Sequence, residues 1–243
     1  MKIWLLPALG AATMVATAPA DAAMTAVYAN PGAKSEGMRV EIADDGKLRV
    51  DLGEGIFTLI RREGRTYVVI GHGDDRLVAD IEELRAASQE SRAKTGAAMC
   101  ASFAKLSSEM KLVQRGSAVV QGRTGDMWFR QNSDGTSPAK PDLVISHDPA
   151  LAPLGAAIAE EYRASTSMLP DCPAFNEAMA PMRAALTTGA PIAMQGMELV
   201  SLDAAAIDPH RFDLPAPPRT AEELRKGSKL GAPVVTIEAR PQQ

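Results

Sequence analysis

The chain has 243 residues, of which 46% are hydrophobic and 23% charged, and its formal net charge at neutral pH is -4. This negative balance argues against a nucleic-acid partner, because neutralising phosphates requires a surplus of basic residues. Aromatic residues make up only 4% of the chain, so few side chains are available to stack on bases or sugars. A chain of this length can bury a sizeable core without disulfides or metals.

The first 22 residues have the pattern of a cleavable export signal. Lys2 supplies a positive charge, residues 3–16 form an apolar stretch, and Ala20-Asp21-Ala22 is a small-x-small cleavage sequence. The alternative is a retained membrane anchor, but the apolar stretch is shorter than the ~20 residues that span a bilayer. The sequence therefore predicts a periplasmic protein that begins at Ala23 and has no transmembrane span after cleavage.

Short alternating segments separated by turn residues dominate the first half of the mature chain. Met38, Val40 and Ile42 alternate with polar residues, which is typical of a strand with one buried face. Asp45-Gly46 is a turn sequence, and similar turns recur about every nine residues, as in an antiparallel meander. The predicted strands are residues 24–30, 38–42, 47–52, 56–60, 66–70 and 77–81.

Helical composition and further strands follow in the second half. Residues 82–111 favour a helix interrupted at Gly96, and residues 148–188 favour a two-helix insertion. Strand patterns return at residues 112–122, 126–131, 141–146, 192–194 and 197–202, and residues 209–215 form a closing edge segment. The prediction is a single α+β domain over residues 23–215, followed by a proline-rich tail over residues 216–243.

The mature chain contains two cysteines, Cys100 and Cys172. In an oxidising compartment an isolated pair is typical of one structural disulfide, and the alternative is two separate buried thiols. None of the three histidines has metal-ligand spacing from either cysteine, so we expect no metal site.

Polar clusters give no clear catalytic arrangement. His72, Asp74 and Asp75 lie in a glycine-rich loop that could bind a divalent ion or transfer protons, but loops of this composition are usually solvated turns. The serines at 107, 108, 165 and 167 lie outside the nucleophile motif G-x-S-x-G. We therefore predict a non-enzymatic protein without catalytic residues or cofactors, with a hydrolase as the alternative.

Two further clusters have both a functional and a structural interpretation. Arg61, Arg62 and Arg65 could contact anionic lipid head groups, or they could belong to a solvated hairpin turn. Five methionines, at 168, 179, 182, 194 and 197, could line an adaptable apolar pocket, or they could fill an ordinary core.

Several short motifs resemble those of a family of exported bacterial proteins. They are G-R-T-Y at residues 64–67, G-R-T-G-D-M-W-F at 122–129, L-V-I-S at 143–146, G-A-P-I at 189–192 and F-D-L-P at 212–215. The family is a domain of unknown function related to the outer-membrane lipoprotein carrier fold, and the resemblance covers residues 38–215. It implies a curved antiparallel half-barrel whose concave side is crossed by helices, which could shelter an acyl chain or a hydrophobic peptide.

A one-sided sheet must bury its apolar face, so we expect a crossing helix and the two-helix insertion to cover it. A groove between sheet and helices is the predicted site for a lipid, an acyl chain, a hydrophobic peptide or an envelope-protein partner. A solidly packed interior would instead favour a module that binds partners through an edge strand. The predicted groove residues are Met99, Phe103, Leu154, Ile158 and Met182.

Overall fold

The computed structural model describes residues 23–33, 35–53, 55–71, 73, 76–89, 96, 100–101, 104, 111–132, 134–168 and 172–226. Eleven strands form one antiparallel sheet. The strands are β1 (Met24–Ala29), β2 (Met38–Ile42), β3 (Leu48–Leu52), β4 (Phe57–Arg62), β5 (Arg65–Ile70), β6 (Leu77–Asp80), β7 (Lys111–Val120), β8 (Arg123–Gln131), β9 (Leu143–Ser146), β10 (Ala190–Met194) and β11 (Met197–Asp203).

In the part of the chain that the structure describes, four helices accompany the sheet. Helix α1 is described over residues 81–89, and the other helices are α2 (Ala152–Ser167), α3 (Pro173–Leu186) and α4 (Ala221–Lys226). Short 3-10 turns occur at Pro149–Leu151 and Pro209–Phe212. In the described part of the chain, no helix combines the length and apolar character needed to cross a bilayer.

The sheet consists of two meanders joined at a single seam. The strand order is β6-β5-β4-β3-β2-β1-β11-β10-β9-β8-β7, so β1 to β6 and β7 to β11 each pair in sequence order. The seam is the antiparallel pair of β1 and β11, in which Thr25 faces Asp203 and Tyr28 faces Leu199. The predicted α+β class with a large antiparallel sheet is confirmed, and the sheet is open.

Two-residue turns explain why neighbouring strands pair in register. Glu63 and Gly64, between β4 and β5, both have positive φ angles (53° and 73°). The same is true of Gln121 and Gly122 between β7 and β8. Two successive residues with positive φ match the right-handed twist of the flanking strands, as in type I′ hairpins.

Helices α2 and α3 and the sheet share one apolar core. Helix α2 packs on β10 and β2, and α3 packs on α2 and β7. The core includes Tyr28, Val40 and Val50 from the sheet together with Leu154 and Ile158 from α2, each fully buried. The insertion therefore buries apolar sheet surface, as a one-sided sheet requires.

The C-terminal segment, residues 208–226, packs against the sheet, and the predicted closing edge segment, residues 209–215, begins with a 3-10 turn at Pro209–Phe212. Asp208 caps the 3-10 turn by accepting from the His210 backbone N–H, and Pro209 begins it. Leu214 and Ala216 then pack on an apolar cluster of β4, β5 and β6, namely Ile60, Val69 and Val78. The predicted tail begins at residue 216, and its described part, residues 216–226, continues along this surface to α4.

An ion-pair network attaches the C-terminal segment to β2 and β3. The Arg211 guanidinium lies 3.0 Å from the Glu41 carboxylate and 3.1 Å from the Asp51 carboxylate. Arg49 donates to both oxygens of Asp51 on the same strand and to the Arg211 carbonyl oxygen, and this last bond joins the sheet to the segment. Phe212, next to Arg211, is 1% exposed.

The predicted disulfide between Cys100 and Cys172 is wrong. Both residues retain their thiols, with Cys100 half-buried and Cys172 buried immediately before α3. A disulfide requires two Cα atoms within about 7 Å, and a count of cysteines carries no information about that distance. The buried Cys172 thiol behaves instead as a small apolar side chain.

Candidate functional site

The layer between α2, α3 and the sheet is the candidate site, and its position depends on how α2 begins. The Asp148 carboxylate accepts a hydrogen bond of 2.9 Å from the Ala150 backbone N–H. Pro149 follows at the first position of the 3-10 turn, where a missing N–H costs nothing. The cap therefore fixes the point at which the chain leaves β9 and enters α2.

Three glycines allow α2 and the neighbouring strands to approach at backbone distance. A Cβ on Gly155 of α2 would lie 2.9 Å from the Gly189 carbonyl oxygen. One on Gly189 would overlap the Ser146 carbonyl oxygen, and one on Gly125 would lie 2.7 Å from the Ile145 carbonyl oxygen. Gly125 and Gly189 belong to the G-R-T-G and G-A-P-I motifs, and both approach carbonyl groups of the L-V-I-S motif, so the three motifs meet beside α2.

The structure brings three of the five predicted groove residues together. Leu154 and Ile158 are both 0% exposed in the core under α2, and Met182 of α3 is half-buried against the same core. Leu154 and Ile158 are therefore packed side chains, and they do not line an open groove. Met99 and Phe103 lie outside the described residues.

Half-buried apolar side chains surround this packed centre, and we call them the apolar rim. The rim consists of Leu112, Met127, Trp128, Tyr162, Met168 and Met182. Tyr162 donates a hydrogen bond of 3.0 Å to the Met179 sulfur, which links α2 to α3. Methionine side chains are unbranched and polarisable, so a surface rich in them can repack around different apolar partners.

Trp128 on β8 carries a buried donor that has no acceptor. Its indole Nε1 is inaccessible to solvent and makes no hydrogen bond in the described structure. Its cross-strand neighbours are Gln114 on β7 and Leu143 on β9. Leaving a buried donor unpaired costs about 1–3 kcal/mol, so an acceptor that reached this N–H would be bound favourably.

Glu161 places a carboxyl group on the buried face of α2. The residue is 8% exposed, and the Ser165 hydroxyl donates to its Oε1 at 2.6 Å. Burial raises the pKa of the Glu161 carboxyl, and the Ser165 hydrogen bond offsets only part of that effect. The raised pKa reduces the electrostatic cost of keeping this group next to apolar side chains.

The most conspicuous polar cluster is a set of hydrogen bonds that links β8, the end of β9 and the α3–β10 connection. His147 Nε2 lies 3.0 Å from the Asp126 carboxylate, and His147 Nδ1 lies 2.9 Å from the Thr188 carbonyl oxygen. Gln114 also donates to Asp126, at 2.7 Å. Both ring nitrogens face acceptors, so the doubly protonated ring satisfies both contacts and leaves no lone pair for a nucleophile. The geometry therefore fits a structural role better than that of a catalytic base.

The hydrogen bonds of His147 predict a pH-dependent contribution to the free energy of unfolding. Hydrogen bonds to Asp126 and to the Thr188 carbonyl raise the pKa of His147. The contribution is therefore complete below the ordinary histidine pKa of ~6.5 and is lost as pH rises through the raised pKa. Because the His147 side chain is 54% exposed, solvent screening limits the effect to about 0.5 kcal/mol.

Urea unfolding of the wild-type protein and of His147→Gln between pH 5.5 and 8.5 measures this contribution. We expect the wild type to have a larger free energy of unfolding than His147→Gln at pH 5.5, and this difference to shrink towards pH 8.5. His210→Gln is the control for a second histidine whose pKa is raised, by Asp213. A difference that grows with pH would contradict the assignment.

The other polar residues considered in the sequence either lie outside the described residues or form hydrogen bonds within α2. His72, Asp74 and Asp75 lie outside the described residues, as do Ser107 and Ser108. The hydroxyls of Ser165, Thr166 and Ser167 are directed within α2, to Glu161 and to backbone carbonyls. No group of three or more potential metal ligands occurs among the residues that the structure describes.

The three arginines near the β4–β5 turn all contact acidic groups of the chain itself. Arg61 lies 3.8 Å from Glu160, Arg62 lies 3.4 Å from Asp213, and Arg65 lies 2.8 Å from Asp80. Arg65 also lies 5.6 Å from the centre of the Tyr67 ring. This arrangement favours the structural interpretation of the cluster over a head-group site.

Trp128 is the site residue that sequence analysis did not single out. The alternation in D-M-W-F could have placed it on a strand facing apolar neighbours. Its unpaired N–H depends on which groups surround it in three dimensions, and no pattern of residues conveys that.

Comparisons with known proteins leave the family open. No protein-family model, no curated protein and no solved structure matches the chain. The resemblance to the lipoprotein carrier fold therefore depends only on the short motifs quoted above.

Proposed function

We propose that the protein is an exported, non-enzymatic binding protein that shelters an acyl chain or a hydrophobic peptide between its sheet and its helices. The observation that supports this most directly is the apolar rim, a set of half-buried side chains packed on the shared core, one of which, Trp128, has a buried and unpaired N–H. An apolar ligand with a carbonyl or carboxyl oxygen would complete that hydrogen bond while burying its chain against the rim.

The architecture that we propose for this role is a half-barrel with the α2–α3 insertion as its cover. The open 11-stranded sheet and the packing of α2 on β10 and β2 support it. Helix α3 suits a movable part of the cover, because Pro181 inside the helix removes one backbone hydrogen bond. Only Phe175, Ala178, Ala185 and Leu186 of α3 are buried.

Export to the periplasm belongs to the same proposal, and the signal-like residues 1–22 support it. An enzymatic function has less support, because both nitrogens of His147 face acceptors other than a nucleophile. A partner in the cell envelope that delivers or accepts the ligand would fit this location.

The proposal predicts that a bound acyl chain contacts Trp128. Trp128 is the sole tryptophan of a chain that begins at Ala23, because the only other one is Trp4. Its fluorescence therefore reports on the apolar rim alone. We expect dibromostearic acid to quench more than half of this fluorescence saturably, and unbrominated stearic acid to compete with the quencher.

Two variants test whether the rim is the binding surface. Met182→Lys places a charge in the rim and should weaken binding at least about tenfold, because an apolar ligand cannot solvate it. Ala184→Lys is the matched control, since Ala184 is exposed on the same helix. The double variant Trp128→Phe/Val200→Trp moves the fluorophore from the rim to β11. Val200 is exposed whereas its neighbour Leu199 is buried in the core, so a tryptophan at position 200 points away from the core and should not be quenched.

Native mass spectrometry of the gently purified protein shows whether lipid accompanies it. A protein that is empty under all gentle conditions, with Trp128 unquenched at saturating dibromostearic acid, would falsify the proposal. Equal weakening by Met182→Lys and Ala184→Lys would place the ligand elsewhere.

A further inference from the structure

The two edge strands of the sheet, β6 and β7, differ in how the rest of the chain covers them. At β6 the C-terminal segment covers the edge: the Arg219 backbone N–H donates to the Val78 carbonyl oxygen at 2.8 Å, and Leu224 of α4 packs on Leu77 and Ala79. At the opposite edge, β7 is the last strand of the sheet. Among the described residues, no backbone hydrogen bond reaches β7 apart from those of its ladder with β8.

The exposed edge of β7 is cationic. Its sequence, KLVQRGSAVV, contains Lys111 and Arg115 and no carboxylate, and both cations are exposed. Neither forms an ion pair within the part of the chain that the structure describes. On the neighbouring strand β8, the acidic residue Asp126 is already engaged by His147 and Gln114. The edge therefore presents positive charge that no acidic side chain of the described chain pairs.

The backbone conformation of β7 is fixed by its ladder with β8. Its register with β8 shifts between Gln114 and Ser117, around Gly116 at a φ of 66°, so the strand consists of two regular stretches separated by a bulge. The Gln121-Gly122 turn and the ladder to β8 fix both stretches. An incoming strand would therefore meet two preorganised rows of backbone donors and acceptors, one on each side of the bulge.

We propose that β7 accepts an extended, acidic segment of a partner protein as an additional strand of the sheet. In such pairing, main-chain hydrogen bonds supply affinity and side chains supply specificity. Carboxylates on the partner would face Lys111 and Arg115, neither of which forms an ion pair with an acidic residue that the structure describes. A second copy of this chain fits less well, because pairing β7 with β7 brings like charges together.

The test uses a ten-residue peptide in which glutamate alternates with valine or threonine, with blocked ends. Isothermal titration with the chain that begins at Ala23 should give saturable binding that weakens as salt rises. Hydrogen exchange should show slower exchange of the β7 amides in the complex. Two control peptides should bind much more weakly: one with lysine in place of glutamate, and one with alternate backbone amides N-methylated.

Charge reversal locates the site on β7. Arg115→Glu should weaken binding of the glutamate peptide about fivefold, the size expected for an exposed ion pair. Arg76→Glu reverses an exposed charge next to β6 and should leave binding unchanged.

Three results would overturn the inference. They are absence of saturable binding at millimolar peptide, binding without protection of the β7 amides, and concentration-dependent dimerisation that protects β7 in place of the peptide. Quenching of Trp128 by dibromostearic acid is measured without peptide, so the ligand proposal and the edge proposal fail independently.

Discussion

Replacement of Gly189 by alanine is expected to lower the free energy of unfolding by about 3 kcal/mol, near the upper end for overpacking. The new Cβ would overlap the Ser146 carbonyl oxygen and lie 2.9 Å from Ile145 Cγ2. A backbone oxygen within a ladder cannot move aside as a flexible side chain can. Relief would require β9 and β10 to separate where α2 rests on them, and urea unfolding monitored by circular dichroism measures the cost.

Gly37→Ala is the matched control for this substitution. A Cβ at Gly37 would meet chiefly the Met197 side chain, with its sulfur at 2.5 Å. That side chain can rotate away, so we expect a loss below about 1 kcal/mol. If both alanine variants were equally stable, the close approach of α2 to the sheet would not be under steric constraint at Gly189.

Arg211→Ala is expected to cost about 2 kcal/mol, less than a fully buried pair because Arg211 is 40% exposed. The substitution leaves the Glu41 carboxylate, 6% exposed, without its main partner. It also removes a tie between the C-terminal segment and the sheet. Limited proteolysis should therefore cleave residues 208–226 faster in the variant, in parallel with its lower resistance to urea.

The stability lost in Arg211→Ala should depend on pH because Asp51 belongs to the same ion-pair network. Burial alone would raise the pKa of Asp51, but hydrogen bonds from Arg49 and Thr58 and the charges of Arg49 and Arg211 together lower it. The resulting stability is complete above the ordinary aspartate pKa of ~3.9 and is lost as pH falls through the depressed value. The difference between wild type and Arg211→Ala should therefore be largest near neutral pH and narrow in acid.

Lys226→Ala controls for the loss of a surface cation. Lys226 pairs with Glu222 one helical turn away, and both side chains are at least 70% exposed. We expect a loss within about 0.5 kcal/mol. A comparable loss for Arg211→Ala would mean that the network around Glu41 does not hold the segment.

The positions of strands and helices could be predicted because they depend on local patterns. Met38–Ile42 has the bounds that its alternation indicated, and α2 and α3 both lie within the predicted insertion at residues 148–188. The pairing of β1 with β11 was not predictable in this way. It joins segments from opposite ends of the domain, and neither segment carries a mark that identifies its partner.

The C-terminal segment shows a different limit. Its prolines indicated that it would not join a ladder, and the structure agrees that most of it lies outside the strands. Its attachment depends on Phe212, Leu214 and Leu224, which are too widely spaced to form a periodic pattern. Their burial becomes evident only once the opposing surface of β4, β5 and β6 exists.

For the candidate site, sequence reasoning predicted burial better than it predicted access. The helical spacing of Leu154 and Ile158 correctly placed them against the sheet. Whether such residues line a groove or fill a core depends on packing between elements, and periodicity is the same in both cases. The arrangement around Asp126, His147 and Thr188 was equally hidden, because its three members come from separate parts of the chain.

The seam between β1 and β11 also determines the order in which the sheet can form. The N-terminal meander pairs strands joined by short connections, so it can assemble by closing short loops, whereas β9 and β10 are separated by the two-helix insertion. The β1–β11 pair must close a loop that contains nearly the whole domain, which makes it the slowest contact to establish. Until β11 pairs with it, β1 keeps one unpaired edge. The folding intermediate that most needs protection from aggregation is therefore the completed N-terminal meander waiting for its last neighbour.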